Sequence, residues 1–115
     1  MKSYIENISQ INIPILFIVG QSSVENQELI TESESDDLWF HLSNYPSAHI
    51  VAKINDMTLT KKQMKNIIKR GACLSKNISK HSSETLEITY THIKHLELTD
   101  IVGTVNVLRF KTIII

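Results

Sequence analysis

Asp37-Leu-Trp-Phe-His-Leu42 and Ala48-His-Ile-Val-Ala-Lys-Ile54 stand either side of Ser43-Asn-Tyr-Pro-Ser47, and this arrangement leaves the chain little conformational choice. The two flanking runs are rich in aromatic and β-branched residues, whereas the five between them are turn formers. The segment therefore reads as a β-hairpin. If Leu42 pairs with Ala48, alternation puts His41 opposite His49, Trp39 opposite Val51 and Asp37 opposite Lys53 on one face. Leu38, Phe40 and Leu42 then share the other face with Ile50, Ala52 and Ile54. That second face is the better core, because every one of its side chains is apolar.

Ile13-Pro-Ile-Leu-Phe-Ile-Val19 is an apolar, largely β-branched run that stops at Gly20, as a buried strand closed by a turn would. Residues 1–12 read as an edge strand or an ordered lead-in. Gly20 to Asn26 reads as a polar loop that continues into a short helix or turn up to Ile30. One long helix is predicted over about residues 59–80. Thr58 or Thr60 can cap it, no proline interrupts Lys61 to Ser79, and Met64, Ile67, Ile68, Gly71, Leu74 and Ile78 recur at helical spacing. Further on, Leu86 to His92 and Thr104 to Phe110 alternate, Thr112 to Ile115 is an apolar strand, and Thr99-Asp100 and Gly103 mark turns. The predicted fold is α+β: one domain over residues 1–115, with a largely antiparallel sheet packed by a single long amphipathic helix.

A chain of 115 residues, 42% of them hydrophobic, holds one core and is too short for two. Its apolar runs fall far short of the roughly 20 residues that span a bilayer. Met1-Lys-Ser-Tyr-Ile-Glu does not have the build of a secretory signal, and Cys73 is the only cysteine. An intracellular, cytoplasmic protein with no membrane partner is the expectation.

The formal net charge of +0, from 12 basic and 12 acidic residues, conceals an uneven distribution. No acidic residue lies between Asp56 and Glu84, a stretch holding Lys61, Lys62, Lys65, Lys69, Arg70, Lys76, Lys80 and His81. In a helix, Lys62, Lys65, Lys69, Lys76 and Lys80 fall within roughly 60° of one another, opposite the apolar face. Glu25, Glu28, Glu32, Glu34, Asp36 and Asp37 occupy a stretch without a base, so a positive face and a negative edge are expected. A lysine stripe attracts phosphates without reading sequence. It can equally be an ordinary solvated face, but exposed helices normally mix signs to gain i,i+4 pairs, and this one carries no carboxylate. Trp39, if left on the more polar hairpin face, can stack on a base, although a buried Trp is commoner.

Three other constellations carry less. His41 and His49, with Asp37, supply at most three of the four ligands of a closed metal site, so no metal is expected and hydrogen-bonded histidines are the ordinary reading. Asp37, His41 and Ser47 imitate a Ser-His-Asp set, yet no glycine-framed nucleophile turn surrounds Ser47, and no catalytic residue or cofactor is expected. Gly20-Gln-Ser-Ser-Val-Glu-Asn26 follows a strand and can cradle a phosphate, but it has no Gly-Lys-Ser/Thr. A polar turn whose Asn26 bonds its own backbone is as good a reading.

Gly20, Glu25-Asn-Gln-Glu-Leu-Ile30, Asp37-Leu-Trp-Phe-His41, Ser47-Ala-His49 and Tyr90-Thr91 together resemble the NFACT-R (NFACT RNA-binding) domain family. There a strand ending in Gly leads to Asn-x-x-Leu, then Asp-x-Trp-Phe-His, a Ser-Ala-His segment, a long lysine-containing helix and a Tyr-Thr strand. Order and spacing agree from about Ile15 to the C-terminus. The closest likeness is to the eukaryotic stand-alone branch typified by coiled-coil domain-containing protein 25, where Glu-Asn-x-x-Leu-Ile is usual. Gln21-Ser22-Ser23 stands where Arg-Asn-Asn often follows the first Gly, which removes one phosphate-binding arginine.

The resemblance implies a non-enzymatic nucleic-acid-binding module, with RNA bound near tRNA or the ribosome in translation quality control by the large proteins and DNA binding suggested for the stand-alone branch; RNA is expected in preference to DNA. Nucleic acid is then expected at Lys62, Lys65, Lys69, Arg70, Lys76 and Lys80. The motif residues Gly20, Asn26, Asp37, Trp39, Phe40, His41, Ser47, His49, Tyr90 and Thr91 shape the scaffold. The alternative is a protein-interaction domain that docks on a ribosomal or other partner.

Overall fold

The hairpin forms in the expected register. In the computed structural model, which describes residues 1–115, Leu38 lies opposite Ala52, Trp39 opposite Val51 and Phe40 opposite Ile50. Its strands, β3 (Leu38–Leu42) and β4 (His49–Ala52), are the centre of a six-stranded sheet. On one side β4 pairs with β2 (Ile13–Gly20), which pairs with β1 (Lys2–Ile8) at the edge. On the other, β3 pairs with β5 (Glu87–His92), and β5 with a last edge strand, Lys111–Ile114. Every pairing is antiparallel, so the sheet expected from sequence is present, with residues 1–12 supplying an edge strand.

Two helices cover this sheet where periodicity alone predicts one over about 59–80. The first, α1, spans Ser23–Glu32, and the second, α2, spans Lys61–Asn77. Thr60 starts α2 with a capping box: its Oγ1 accepts from the Gln63 N–H at 3.1 Å, and the Gln63 side chain accepts from the Thr60 N–H at 2.9 Å. The helix stops three residues short of Lys80, where Ser79 turns its hydroxyl back onto the Lys76 carbonyl at 2.8 Å. Such side-chain bonds compete with helix continuation.

Thr104 to Phe110 is likewise not one strand. Only Val105–Val107 is extended, as β7, and it pairs with β6 (Leu96–Leu98) in a separate two-stranded ribbon; Lys111–Ile114 is accordingly β8.

Both faces of β3 and β4 are buried, which is why the two strands read as nearly continuous apolar runs. Leu38, Phe40, Leu42, Ile50 and Ala52 join Ile15, Phe17 and Val19 of β2 beneath Ile67, Ala72 and Leu74 of α2. Trp39 and Val51 face the other way, against Leu29 and Ile30 of α1 and Ile93, with Leu96, Val105 and Val107 of the ribbon beside them. Gly71 sets how closely α2 lies on the sheet: a Cβ there would stand 2.2 Å from Cζ of Phe40. No helix is long and apolar enough to cross a membrane.

Candidate functional site

Five of the motif residues gather on the α1 face. The Trp39 indole N–H, which can only donate, reaches Nδ1 of His49 at 3.2 Å, so that nitrogen is bare and the ring proton sits on Nε2. His41 has the opposite tautomer, because its Nδ1 lies 2.6 Å from the Leu42 carbonyl, which can only accept. The two imidazoles meet edge to face with centroids 5.0 Å apart, and Trp39 stacks on His41 at 5.6 Å. Burial pushes His49 down to about 4, with the neighbouring His41 adding to the effect. His41 is lowered too, by burial, against the opposing pull of its bond to Leu42. Both rings are therefore neutral at pH 7.

Asn26 ties this cluster to the first turn of α1. Its Oδ1 accepts from the His49 backbone N–H at 3.3 Å, and a Cβ at position 20 would stand 2.3 Å from that same oxygen. Gly20 is required there because only a residue without a side chain lets Asn26 reach β4. Asn26 thus bonds across the sheet rather than to its own backbone.

The remaining motif residues are also structural in placement. Asp37, 1% exposed, accepts from the backbone N–H of Ile54 at 2.9 Å, Asn55 at 3.0 Å and Glu34 at 2.9 Å, and pairs with the Lys53 ammonium. Ser47 Oγ accepts from the Leu42 N–H at 3.1 Å and holds the hairpin loop. Thr91 is buried opposite Trp39, and Tyr90 packs 6.4 Å from the Phe40 ring on the α2 face.

The geometry does not assemble the three minor alternatives that these residues left open. Asp37, His41 and Ser47 make no hydrogen bond to one another, since each is engaged elsewhere. No three His, Cys, Asp or Glu side chains are placed to hold a metal ion. Trp39 is 2% exposed and closed to a base. The start of α1 already holds an anion as well: the Glu25 carboxylate accepts from the Gln21 N–H at 3.0 Å and pairs with the N-terminal ammonium at 3.0 Å. Those contacts, the Gln21 bond first, hold Glu25 below the usual carboxylate range and leave the loop a poor cradle for phosphate.

The basic residues divide. Lys62, Lys65 and Lys69 are exposed on α2 together with Lys61, and none of them takes part in the molecule's five ion pairs. The other three predicted contacts are placed differently. Arg70 leans to the opposite flank, 3.6 Å from Glu6 of β1; Lys76 is half-buried with Nζ donating to the Ile115 carbonyl at 3.2 Å; Lys80 lies in the turn beyond the helix.

Sequence reasoning missed a groove of about 620 Å³ beside this lysine face, walled by Met64 and Ile68 of α2, floored by Tyr90 and lipped by residues 108–111. The available signal was a slip in alternation: Val105 and Val107 lie on one parity, Leu108 and Phe110 on the other.

A family model described as NFACT protein RNA binding domain matches residues 4–107. No curated protein matches the chain. Among solved structures, the C-terminal part of the fibronectin/fibrinogen-binding protein from Streptococcus suis superposes with a TM-score of 0.74 at 21% identity. The match covers 88% of this chain and 40% of that one, and at such identity it speaks for the fold alone.

Proposed function

Because the chain belongs to the NFACT protein RNA-binding domain family, we propose that it is a non-enzymatic RNA-binding module that holds the phosphate backbone on the outer face of α2. One observation carries the choice of surface: Lys61, Lys62, Lys65 and Lys69 are exposed side by side with no carboxylate partner. Four unpaired ammonium groups on one helical face repel one another at i,i+4 spacing, and a bound polyanion removes that cost. RNA is preferred over DNA on the strength of the family. The resemblance to the family's large ribosome-associated members extends the proposal to a cytoplasmic role near tRNA or the ribosome, in translation quality control, while the likeness to the stand-alone branch makes DNA the alternative ligand.

Binding of tRNA and mixed oligonucleotides, measured by fluorescence anisotropy against salt, tests this. With three or four lysines engaged, the logarithm of the affinity falls with the logarithm of salt at a slope of about −2 to −4. Undetectable binding at low salt overturns the proposal. A second reading, docking on a basic ribosomal protein, is favoured by Glu28 and Glu32, which are exposed on α1 and unpaired. Co-purification of such a partner that survives nuclease supports it.

A further inference from the structure

We propose that the groove between α2 and the β5–β8 edge receives an unstacked base, so that the module selects single-stranded RNA over duplex. This rests on the RNA-binding reading above and adds to it a site and a form of ligand.

The walls of the groove are more apolar than those of the clefts at Glu6–Arg70 and Pro46–His81. Met64 and Ile68 of α2 and the ring of Tyr90 give it apolar sides and floor, as a base face requires. Its outer lip is Leu108-Arg-Phe-Lys111, in which Leu108 and Phe110 are 60% and 58% exposed although both are large and apolar. A single exposed apolar residue is unremarkable, but here two of them flank one cavity, with Arg109 between them and Lys111 next to them. His92 and His95 line the same cavity, and no carboxylate does. An apolar slot rimmed only by bases complements a nucleotide, whose planar apolar face and phosphate are neighbours. At about 620 Å³ the space is of the size that accommodates a small planar ligand.

Position joins the groove to the lysine face. Lys61 and Lys65 each stand three residues before Met64 and Ile68, so they are surface neighbours of the groove wall. Lys76, on the same flank, reaches the Ile115 carbonyl just past β8. A strand whose phosphates follow Lys65 and Lys61 therefore runs along the rim, and a base turned inward meets Tyr90 and Phe110. Duplex RNA keeps its bases stacked inside and can use only the lysines. Residues 108–111 lie outside the matched residues 4–107, so the family match does not account for this lip.

The test compares Phe110→Ala with the unaltered protein on a single-stranded oligouridine and on a fully paired RNA hairpin of equal charge, at low salt. Phe110 is exposed enough that its removal leaves the fold intact, which thermal unfolding checks; Arg109→Ala is the second variant. The expected result is a 5- to 100-fold loss for the single strand and less than a twofold change for the hairpin, with Phe110→Trp restoring the single-strand affinity. Unchanged single-strand binding by both alanine variants overturns the base site, as does an equal loss on both RNAs. So does a self-association of the protein that Phe110→Ala abolishes, because the groove is then covered by a second copy. Failure of the unaltered protein to bind either RNA overturns the RNA reading itself, a result distinct from failure of the groove alone.

Discussion

Trp39 and Phe40 are chain neighbours that point to opposite faces of the sheet, and the two faces handle polar groups in opposite ways. Under α1, indole, imidazole and amide groups are buried or half-buried and each is bonded within the protein: Trp39 to the His49 ring, His41 to the Leu42 carbonyl, Asn26 to the His49 backbone N–H. Under α2 the core is almost wholly apolar, with Ser75 Oγ the one buried side-chain polar atom without a partner. Charge there is carried outside, on lysines that meet no counter-charge. The residues that make the sequence distinctive are thus spent on holding the scaffold together. The residues free to meet a ligand are unremarkable lysines and an exposed Phe.

If the division is real, changes in the sealed network cost stability and leave the RNA affinity of folded protein intact. Asp37→Ala should cost the most. It leaves the Lys53 ammonium and three backbone N–H groups without their acceptor, a loss of about 3–5 kcal/mol that urea unfolding at pH 7 will read. A drop in RNA affinity without a drop in stability would break the comparison.

The histidine pair gives a comparable effect without mutation. His49 resists protonation in the folded state, with a pKa of about 4 against an ordinary 6.5, so between those values the unfolded chain binds more protons. Its neutral form costs nothing above pH 6.5, and stability is lost as pH falls towards 4, by about 3 kcal/mol over the whole interval. His41 acts in the same direction. Urea midpoints at pH 7.5 and 4.5 should differ accordingly; equal midpoints would mean that the pocket admits water and the face is not sealed.

Much of this was legible in the sequence. The hairpin register followed from alternation, since a one-residue slip would have turned Leu38, Phe40 and Leu42 away from Ile50 and Ala52. Burial of Trp39 was the commoner expectation, but the helix that covers it was barely legible, because it offers so little pattern: in Ser23–Glu32 only Val24, Leu29 and Ile30 are apolar. Its start was marked nonetheless by Ser22-Ser-Val-Glu25, in which Ser22 Oγ accepts from the Glu25 N–H at 3.1 Å. The strands β6 and β7, three residues each, are too short to show a period. Lys62, Lys65 and Lys69 were found from spacing, whereas the groove draws on α2, β5 and the 108–111 link, and no local window contains it.

Gly71→Ala probes the α2 contact with the sheet. The new methyl group meets all of the far edge of the Phe40 ring, at 2.2, 2.5 and 2.6 Å from Cζ, Cε1 and Cε2, and Phe40 is itself fully buried. Overpacking costs about 1–3 kcal/mol. Better helix propensity returns about 1 kcal/mol. A net loss of about 1 kcal/mol in thermal unfolding, with RNA affinity unchanged, sharpens the comparison, because it shows that the inner side of α2 behaves like the sealed face.

The outer side of α2 should show the reverse. Lys65→Glu with Lys69→Glu changes stability by less than about 0.5 kcal/mol, as exposed substitutions do. The sign is favourable for one of the two, since Lys61 and residue 65 become an oppositely charged i,i+4 pair. Against that near-silence in unfolding, RNA affinity at low salt should fall at least tenfold, and the salt slope should shrink by about 0.7–0.9 for each phosphate that the protein no longer neutralises. Unchanged affinity in this double variant would remove the lysines from the interface and leave the two faces differing in packing only.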